Sequence, residues 1–204
     1  MKCVALLIRI QLIMDYYWIS INNDIVSTIA YAPKGTPVSH QLIETIETID
    51  VVPFSLELHD VIISKTIIQG GLSDVFYDFQ PNSLAWPIMS EKMSHIIASH
   101  LTGFEHIRWK EIRIVGKNTS QRYYLPYFTY PLDTLDYENS IIIPSSGAVL
   151  KPCFSKIKLE NISMTYAPSL FWKVTTKLYV NDEIRKDLIN ANIKEIVFSK
   201  AKSI

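Results

Sequence analysis

The sequence predicts an α+β fold with a mixed or mainly antiparallel sheet and a few short helices. Two observations lead to this prediction. Short segments rich in β-branched and aromatic residues, which are typical of strands, outnumber helical segments along the 204 residues. These segments also lack the regular alternation with helices that marks a parallel βαβ fold. The length allows one large domain or two small lobes with a sizeable core.

The first part of the chain is predicted to form an N-terminal lobe of mostly strands over residues 14–85. Residues 16–21 and 25–31 are strand-like and are joined by a polar turn. Residues 54–68 alternate apolar and polar positions in part, which favours one or two further strands. Between them, residues 39–49 have the apolar spacing of a short helix.

The N-terminal segment 1–13 is predicted to be an extension or a buried strand. Its apolar stretch is too short to span a bilayer. Arg9 and Gln11 interrupt it where a signal peptide keeps an unbroken apolar core. We therefore expect no membrane contact.

Residues 86–204 are predicted to form a C-terminal α+β lobe, or to complete one compact domain with the first part. Ser90 and Asn181 are expected to cap two helices, because their side chains can accept a bond from an otherwise unpaired helical N–H. Gly103 is expected to end the first helix. The turn at 116–118 indicates a hairpin.

Residues 166–204 are expected to form a strand, a second short strand, a capped helix and a closing strand, and further strands of this second part are expected at four places. They are residues 107–109, 111–115, 121–128 and 154–159. The aromatic residues of the third strand and its end are expected to lie in the core or, alternatively, in an interface. These residues are Tyr123, Tyr124, Tyr127, Phe128 and Tyr130.

The residues that could carry chemistry form no catalytic pattern. His95 and His100 are five residues apart, so they do not share a helix face as a metal-binding pair would. Glu91 and His95 are four residues apart and share a helix face, so among these residues they are the pair that a metal or acid–base role could use. A glycine-rich phosphate loop and a Gly-x-Ser-x-Gly motif are both missing. We predict no catalytic, cofactor or metal site, and no enzymatic activity.

The two cysteines indicate a reducing compartment. Cys3 and Cys153 are isolated in the sequence, so they form neither a disulfide framework nor a zinc motif. This usage fits the cytoplasm.

Charge is distributed unevenly along the chain. The formal net charge is zero, which offers no overall attraction for nucleic acid. Residues 1–100 carry five Lys or Arg against ten Asp or Glu, and residues 101–204 carry fifteen against ten. The acidic residues of the first part are either a solvated face or a surface that attracts a basic partner. The candidate partner-binding residues are Glu44, Glu47, Asp50, Asp74 and Asp78.

Three stretches of the chain share a pattern of helix entries, turns and core aromatics. They are Asp78–Phe79 with Trp86–Met93, then Tyr124 with Leu135–Ser140, and finally Leu170–Lys173 with Tyr179–Asp182, Leu188–Ile189, Ile193 and Phe198. This pattern resembles a family of immunity proteins from bacterial polymorphic toxin systems. The resemblance covers residues 16–199, and the first seventy residues agree only in pattern.

The resemblance implies a cytoplasmic α+β protein that binds the C-terminal domain of a cognate toxin encoded nearby. Binding would occlude the active or target-binding surface of the toxin. Asn192 stands where the family usually has Gly, and Asn tolerates the left-handed backbone that such a turn needs. The resemblance begins near Tyr16, which favours Met14 over Met1 as the true start. Two alternatives stay open, namely a small enzyme that reverses toxin damage and a non-catalytic adaptor in a secretion or phage system.

Overall fold

The computed structural model confirms the α+β class. The residues that it describes are 14–24, 27–33, 54–60, 74–168, 172–175, 177–193 and 195–204. Within them, two α-helices accompany fourteen strands, most of which pair antiparallel. No helix in these ranges has both the length and the apolar character needed to cross a membrane. The predicted helix at 39–49 and the segment 1–13 lie outside the described residues.

Strands and helices are numbered here in chain order. The strands are β1 (Tyr16–Ile21), β2 (Thr28–Tyr31), β3 (Ser55–Asp60), β4 (Phe79–Gln80), β5 (Ile88–Ser90), β6 (Ile107–Val115), β7 (Ser120–Phe128), β8 (Ile141–Ile142), β9 (Val149–Lys151), β10 (Cys153–Phe154), β11 (Met164–Tyr166), β12 (Leu178–Asn181), β13 (Ile196–Lys200) and β14 (Lys202–Ser203). The helices are α1 (Glu91–His100) and α2 (Asp182–Asn190), with a short 3-10 helix at Trp172–Val174.

The larger sheet closes into a small barrel. Its strand order is β2-β3-β6-β7-β5-β4, and β3–β6 is its one parallel pair among the described strands. The outer strand β2 meets the segment that directly follows β4 at Ala30. The Ala30 N–H donates to the Pro81 carbonyl and the Ala30 carbonyl accepts from the Ser83 N–H, both at 2.9 Å. Closure gives these edge groups hydrogen-bond partners within the chain.

The barrel interior is a hydrophobic core. Because successive strand residues point to opposite faces, Ile112 and Ile114 of β6 face inward while Glu111 and Arg113 face outward. Leu56, Trp86, Ile88, Tyr123 and Leu125 belong to the same buried cluster.

A smaller sheet, in the order β11-β12-β1-β13, packs with both helices around a second core. All three of its strand pairs are antiparallel. Ile19 of β1, Met93 and Ile97 of α1, and Ile184 and Leu188 of α2 are buried together in this core.

The predicted division at residue 85 separates strands that pair with each other. β1 precedes this position, yet it lies between β12 and β13. β3 also precedes it, and it pairs with β6. Strands from both sides of residue 85 therefore share each of the two sheets.

The predicted helix caps and the Asn192 turn are confirmed. The Ser90 hydroxyl accepts the Met93 N–H at 3.2 Å, and the Asn181 side chain accepts the Ile184 N–H at 2.9 Å. The predicted end of the first helix at Gly103 is not confirmed, because α1 ends at His100 with Leu101 as its C-cap, two residues before Gly103. Asn192 has a φ of 59°, in the left-handed region.

The predicted strand over residues 154–159 is wrong. Strand β10 ends at Phe154, and the chain then turns, with the Leu159 N–H donating to the Ser155 carbonyl at 3.0 Å. Leu159 and Ile162 are buried while Ile157 points into solvent. The alternation of apolar residues thus reflects a turn with one buried side, which looks like a strand over so few positions.

Replacing the second helix cap is expected to destabilise the fold. Asn181→Ala removes the acceptor for the Ile184 N–H, so the free energy of unfolding should fall by about 1–2 kcal/mol. Urea denaturation measures this change. The control is Asn190→Ala in the exposed last turn of the same helix, which should stay within about 0.5 kcal/mol of wild type. Equal effects of the two variants would contradict the capping role.

Candidate partner-binding surface

Large apolar side chains are exposed on three loops that are bonded to one another. Phe104 is 61% exposed, Tyr130 63%, Tyr137 55% and Ile157 84%. Single exposed apolar residues are ordinary, but several on connected loops are typical of an interaction site. The loops, called the three-loop surface below, span residues 101–106, 129–140 and 155–163.

A buried carboxylate joins the first and third loops. Glu105 is fully buried, and its two oxygens accept three backbone N–H groups. The donors are Thr102 at 3.0 Å, Gly103 at 3.1 Å and Ser163 at 2.6 Å. A buried carboxylate is costly unless donors surround it, so these bonds fix both loops around one side chain. The Thr102 hydroxyl adds a bond to the Asn161 carbonyl at 2.5 Å.

Lys158 joins the third loop to the second. Its ammonium donates to the Asp133 carboxylate at 2.8 Å and to the Leu135 carbonyl at 3.1 Å. The same ammonium lies 5.5 Å from the centre of the Tyr137 ring, within the range of a cation–π contact. Tyr137 is therefore held by its neighbours although its ring is exposed.

The first and second loops meet at His106. The Thr129 N–H donates to the His106 carbonyl at 2.9 Å, and the His106 and Tyr130 rings lie edge to face with centres 5.1 Å apart. Gly103 and His106 both have positive φ, at 94° and 50°. The left-handed backbone at these two positions turns the loop tightly around Glu105. The surface is thus fixed before any partner arrives, which reduces the entropy that binding would cost.

Of the predicted acidic residues, Glu44, Glu47 and Asp50 lie outside the described residues. Asp74 accepts three backbone N–H groups from the turn between β6 and β7. The donors are Lys117 at 2.6 Å, Asn118 at 2.8 Å and Thr119 at 3.1 Å. These bonds, led by that of Asn118, hold the pKa of the Asp74 carboxyl below its ordinary value. Asp74 therefore holds a turn of its own chain.

Asp78 is also engaged within the chain. Its carboxylate accepts the Ser90 hydroxyl at 2.5 Å, and its carbonyl accepts the Ser90 N–H at 2.7 Å. Since Ser90 caps α1, Asp78 fixes the start of that helix. The structure therefore brings neither Asp74 nor Asp78 to the three-loop surface.

Glu91 and His95 lie together on the exposed side of α1. The His95 ring is 6.5 Å from the Tyr124 ring of β7, centre to centre. Partial burial of Tyr124, and next the charge of Glu91, raise the pKa of its phenol. Glu111 is the cross-strand neighbour of Tyr124. This is an open surface cluster, since both Glu91 and His95 are exposed.

The remaining candidates have structural contacts. His100 bonds Asp187 at 2.8 Å and so connects the two helices. Cys153 is buried and unpaired, and its burial raises the pKa of its thiol. In the described ranges no group of three His, Cys, Asp or Glu side chains is arranged to hold a metal ion.

Sequence reasoning missed Phe104 and Ile157. An apolar residue in a loop gives no local sign of whether its side chain is buried, so only the fold reveals these two. Tyr130 belongs to the aromatic run of the sequence, and Tyr137 lies in the stretch Leu135–Ser140 that carries part of the resemblance. A sequence signal for such exposed side chains would be several apolar residues next to residues that favour turns.

The chain matches no family model, and it has no significant match among curated protein sequences. The geometry of the described residues and the resemblance of the three stretches are what bear on its function.

Loss of the buried carboxylate is expected to loosen the three-loop surface. Glu105→Gln should lower the free energy of unfolding by about 1–3 kcal/mol, because the amide NH₂ would face a backbone N–H that it cannot accept. Urea denaturation and amide exchange at Ser163 measure the effect. Glu138→Gln, on an exposed position of the second loop, is the control and should be near neutral. If Glu105→Gln left the free energy of unfolding unchanged, Glu105 would not be the residue that holds the loops of the three-loop surface together.

The Asp74 bonds predict a dependence of stability on pH. The folded-state pKa is depressed, so the stabilisation is present above the unfolded value near 3.8 and is lost as pH falls through the folded pKa. Asp74→Asn should therefore lower the urea midpoint at pH 6, and the difference from wild type should shrink as the pH falls below the unfolded-state pKa. Asp24→Asn, in an exposed turn, controls for the loss of one carboxylate. An Asp74→Asn difference independent of pH would contradict this account.

Proposed function

We propose that this protein is an immunity protein that binds a cognate bacterial toxin domain and covers its active or target-binding surface. The three-loop surface is the observation that carries the proposal, because it offers exposed aromatic and aliphatic side chains on a fixed backbone. The resemblance of residues 78–93, 124–140 and 170–198 to immunity proteins supplies the class of partner.

The composition of this surface suits tight binding. Interface cores are enriched in aromatic residues, and a few buried anchors supply most of the binding energy. In this proposal Phe104, Tyr130 and Tyr137 are such anchors, and Ile157 is the most exposed large apolar residue in the described ranges. Asp133 and Lys158, two charged side chains of these loops, already pair with each other, so burial of this surface leaves neither of these two charges unpaired.

Neutralisation by occlusion needs no chemistry from this chain. A stoichiometric complex in the cytoplasm of the producing cell would keep the toxin inactive for as long as the two proteins stay bound. In this proposal the acidic residues Glu44, Glu47 and Asp50 steer a basic toxin toward the protein and mainly affect the association rate.

A second candidate is an enzyme that reverses the damage done by the toxin. The cluster of Glu91, His95 and Tyr124 is the feature that favours it. The exposure of Glu91 and His95 is an argument against the enzyme, because water competes with substrate at an open site. The experiment below separates the two functions.

Co-expression tests the proposal directly. The C-terminal domain of the protein encoded immediately upstream is expressed with and without this chain, and cell survival and co-purification are scored. We expect survival and a stable one-to-one complex. The double variant Phe104→Ser, Ile157→Ser should bind about 30-fold or more weakly, since loss of a hot-spot side chain costs about 2 kcal/mol.

Ile189→Ser is the matched control, because Ile189 is a half-exposed aliphatic residue on α2, outside the three-loop surface. It should leave both rescue and affinity unchanged. Rescue without a complex would support the enzyme, and the variant Glu91→Gln, His95→Gln would then abolish it. Toxicity that this chain does not relieve would refute the immunity proposal.

A further inference from the structure

Two arginines lie side by side on the outer face of the barrel, on adjacent strands. Arg113 of β6 and Arg122 of β7 are direct cross-strand partners, and both are exposed. They point away from the barrel core because their neighbours Ile112 and Tyr123 point into it. Like charges directly opposite each other weaken an antiparallel pair, so this arrangement opposes folding.

The backbone pattern brings these two side chains close together. The Arg113 N–H donates to the Phe54 carbonyl next to β3, at 3.0 Å, and not to β7. Arg113 and Arg122 therefore form a non-hydrogen-bonded pair of the β6–β7 ladder. In such a pair the Cα atoms are about 4.5 Å apart and the side chains are closer than in a hydrogen-bonded pair.

Neither guanidinium has an acidic partner among the described residues. None of the ion pairs in these ranges includes Arg113 or Arg122. Among the described residues of β3, β6 and β7, two acidic residues share the outer face with them. Glu57 lies 3.6 Å from His59, and Glu111 is opposite Tyr124. The repulsion between the arginines is thus not relieved by an ion pair with either acid.

We propose that Arg113 and Arg122 form a binding site for the carboxylates of an acidic segment of a protein partner. Each guanidinium presents a planar fork of donors that matches the two oxygens of a carboxylate. Two adjacent forks on a rigid ribbon can hold one or two carboxylates together. Ser55 of β3 stands beside Arg113 in the same row and supplies a hydroxyl next to the site.

The surroundings favour a short acidic peptide over nucleic acid. Tyr124 and the exposed Val115 lie beside the arginines on the outer face and give a peptide apolar surface to cover. Glu57 and Glu111 lie on the same face and would repel a long phosphate backbone. Carboxylates that are a few residues apart can reach the arginines between these two acids.

This site is separate from the three-loop surface and goes beyond the proposed function. Arg113 is six residues along β6 from Ile107, where the strand leaves the first loop. At about 3.3 Å per residue, the arginines are about 20 Å from that loop. The site can therefore recognise an acidic partner whether or not the three-loop surface binds a toxin.

Fluorescence anisotropy with a synthetic peptide tests the proposal on the full chain. The probe is a fluorescein-labelled octapeptide in which four glutamates alternate with glycine. We expect binding that weakens with salt, and an affinity at least tenfold lower for the double variant Arg113→Gln, Arg122→Gln. Arg108→Gln is the matched control, because Arg108 is exposed on the same strand but on the opposite face. It should change the affinity less than twofold.

The urea midpoint is a second measurement. If the two arginines stabilised the fold, replacing them would lower this midpoint. The urea midpoint of the double variant should stay equal or rise, since the substitutions remove a like-charge contact. A clear fall in this midpoint would overturn the proposal. So would an absence of peptide binding by wild type, or an equal loss of affinity in Arg108→Gln. A single-stranded oligonucleotide of equal charge that bound more tightly through the same arginines would also overturn it.

Discussion

The register of β6 against β7 is the constraint on which the rest of the described structure depends. Nine consecutive residue pairs align these strands, so one register decides which side chains enter the barrel and which face solvent. A slip by one residue would turn Ile112 and Ile114 outward and bury charged side chains. The ends of the same ribbon lead into the first loop of the three-loop surface and into the turn held by Asp74. Core, surface and turn are therefore specified together.

Polar groups of this protein have two different uses. The carboxylate oxygens of Glu105 and Asp74 accept backbone N–H groups from loops that are far away in the sequence. These hydrogen bonds fix the shape of the loops. Arg113 and Arg122 have no such partners among the described residues, and they sit in an unfavourable arrangement on a rigid sheet. Groups satisfied within the chain explain how it folds, whereas groups left facing solvent show where it can bind. Because the two uses fall on different residues, the candidate binding surfaces can be distinguished from the contacts that hold the fold.

Much of the fold follows from local signals in the sequence. Ser90 and Asn181 cap helices because the cap bond joins residues only three positions apart, which a sequence reveals directly. The structural role of Asp74 could not be predicted, since its donors lie more than forty positions away. The arginine pair needs the strand register, which depends on the exact turn at residues 116–119. The turn after Phe154 is predicted wrongly as a strand, because alternating apolar residues fit a strand and a half-buried turn equally well over six positions.

The position of β1 in the middle of the smaller sheet has a consequence for synthesis of the chain. Both neighbours of β1 come from the last part of the sequence, so this strand has no partner until β12 and β13 have left the ribosome. Until then its two edges stay open to pairing with other chains. Contacts of such long sequence separation also slow folding, because the loop entropy is lost before they form. A truncation that removed β13 would leave β1 as an open edge strand in the finished protein.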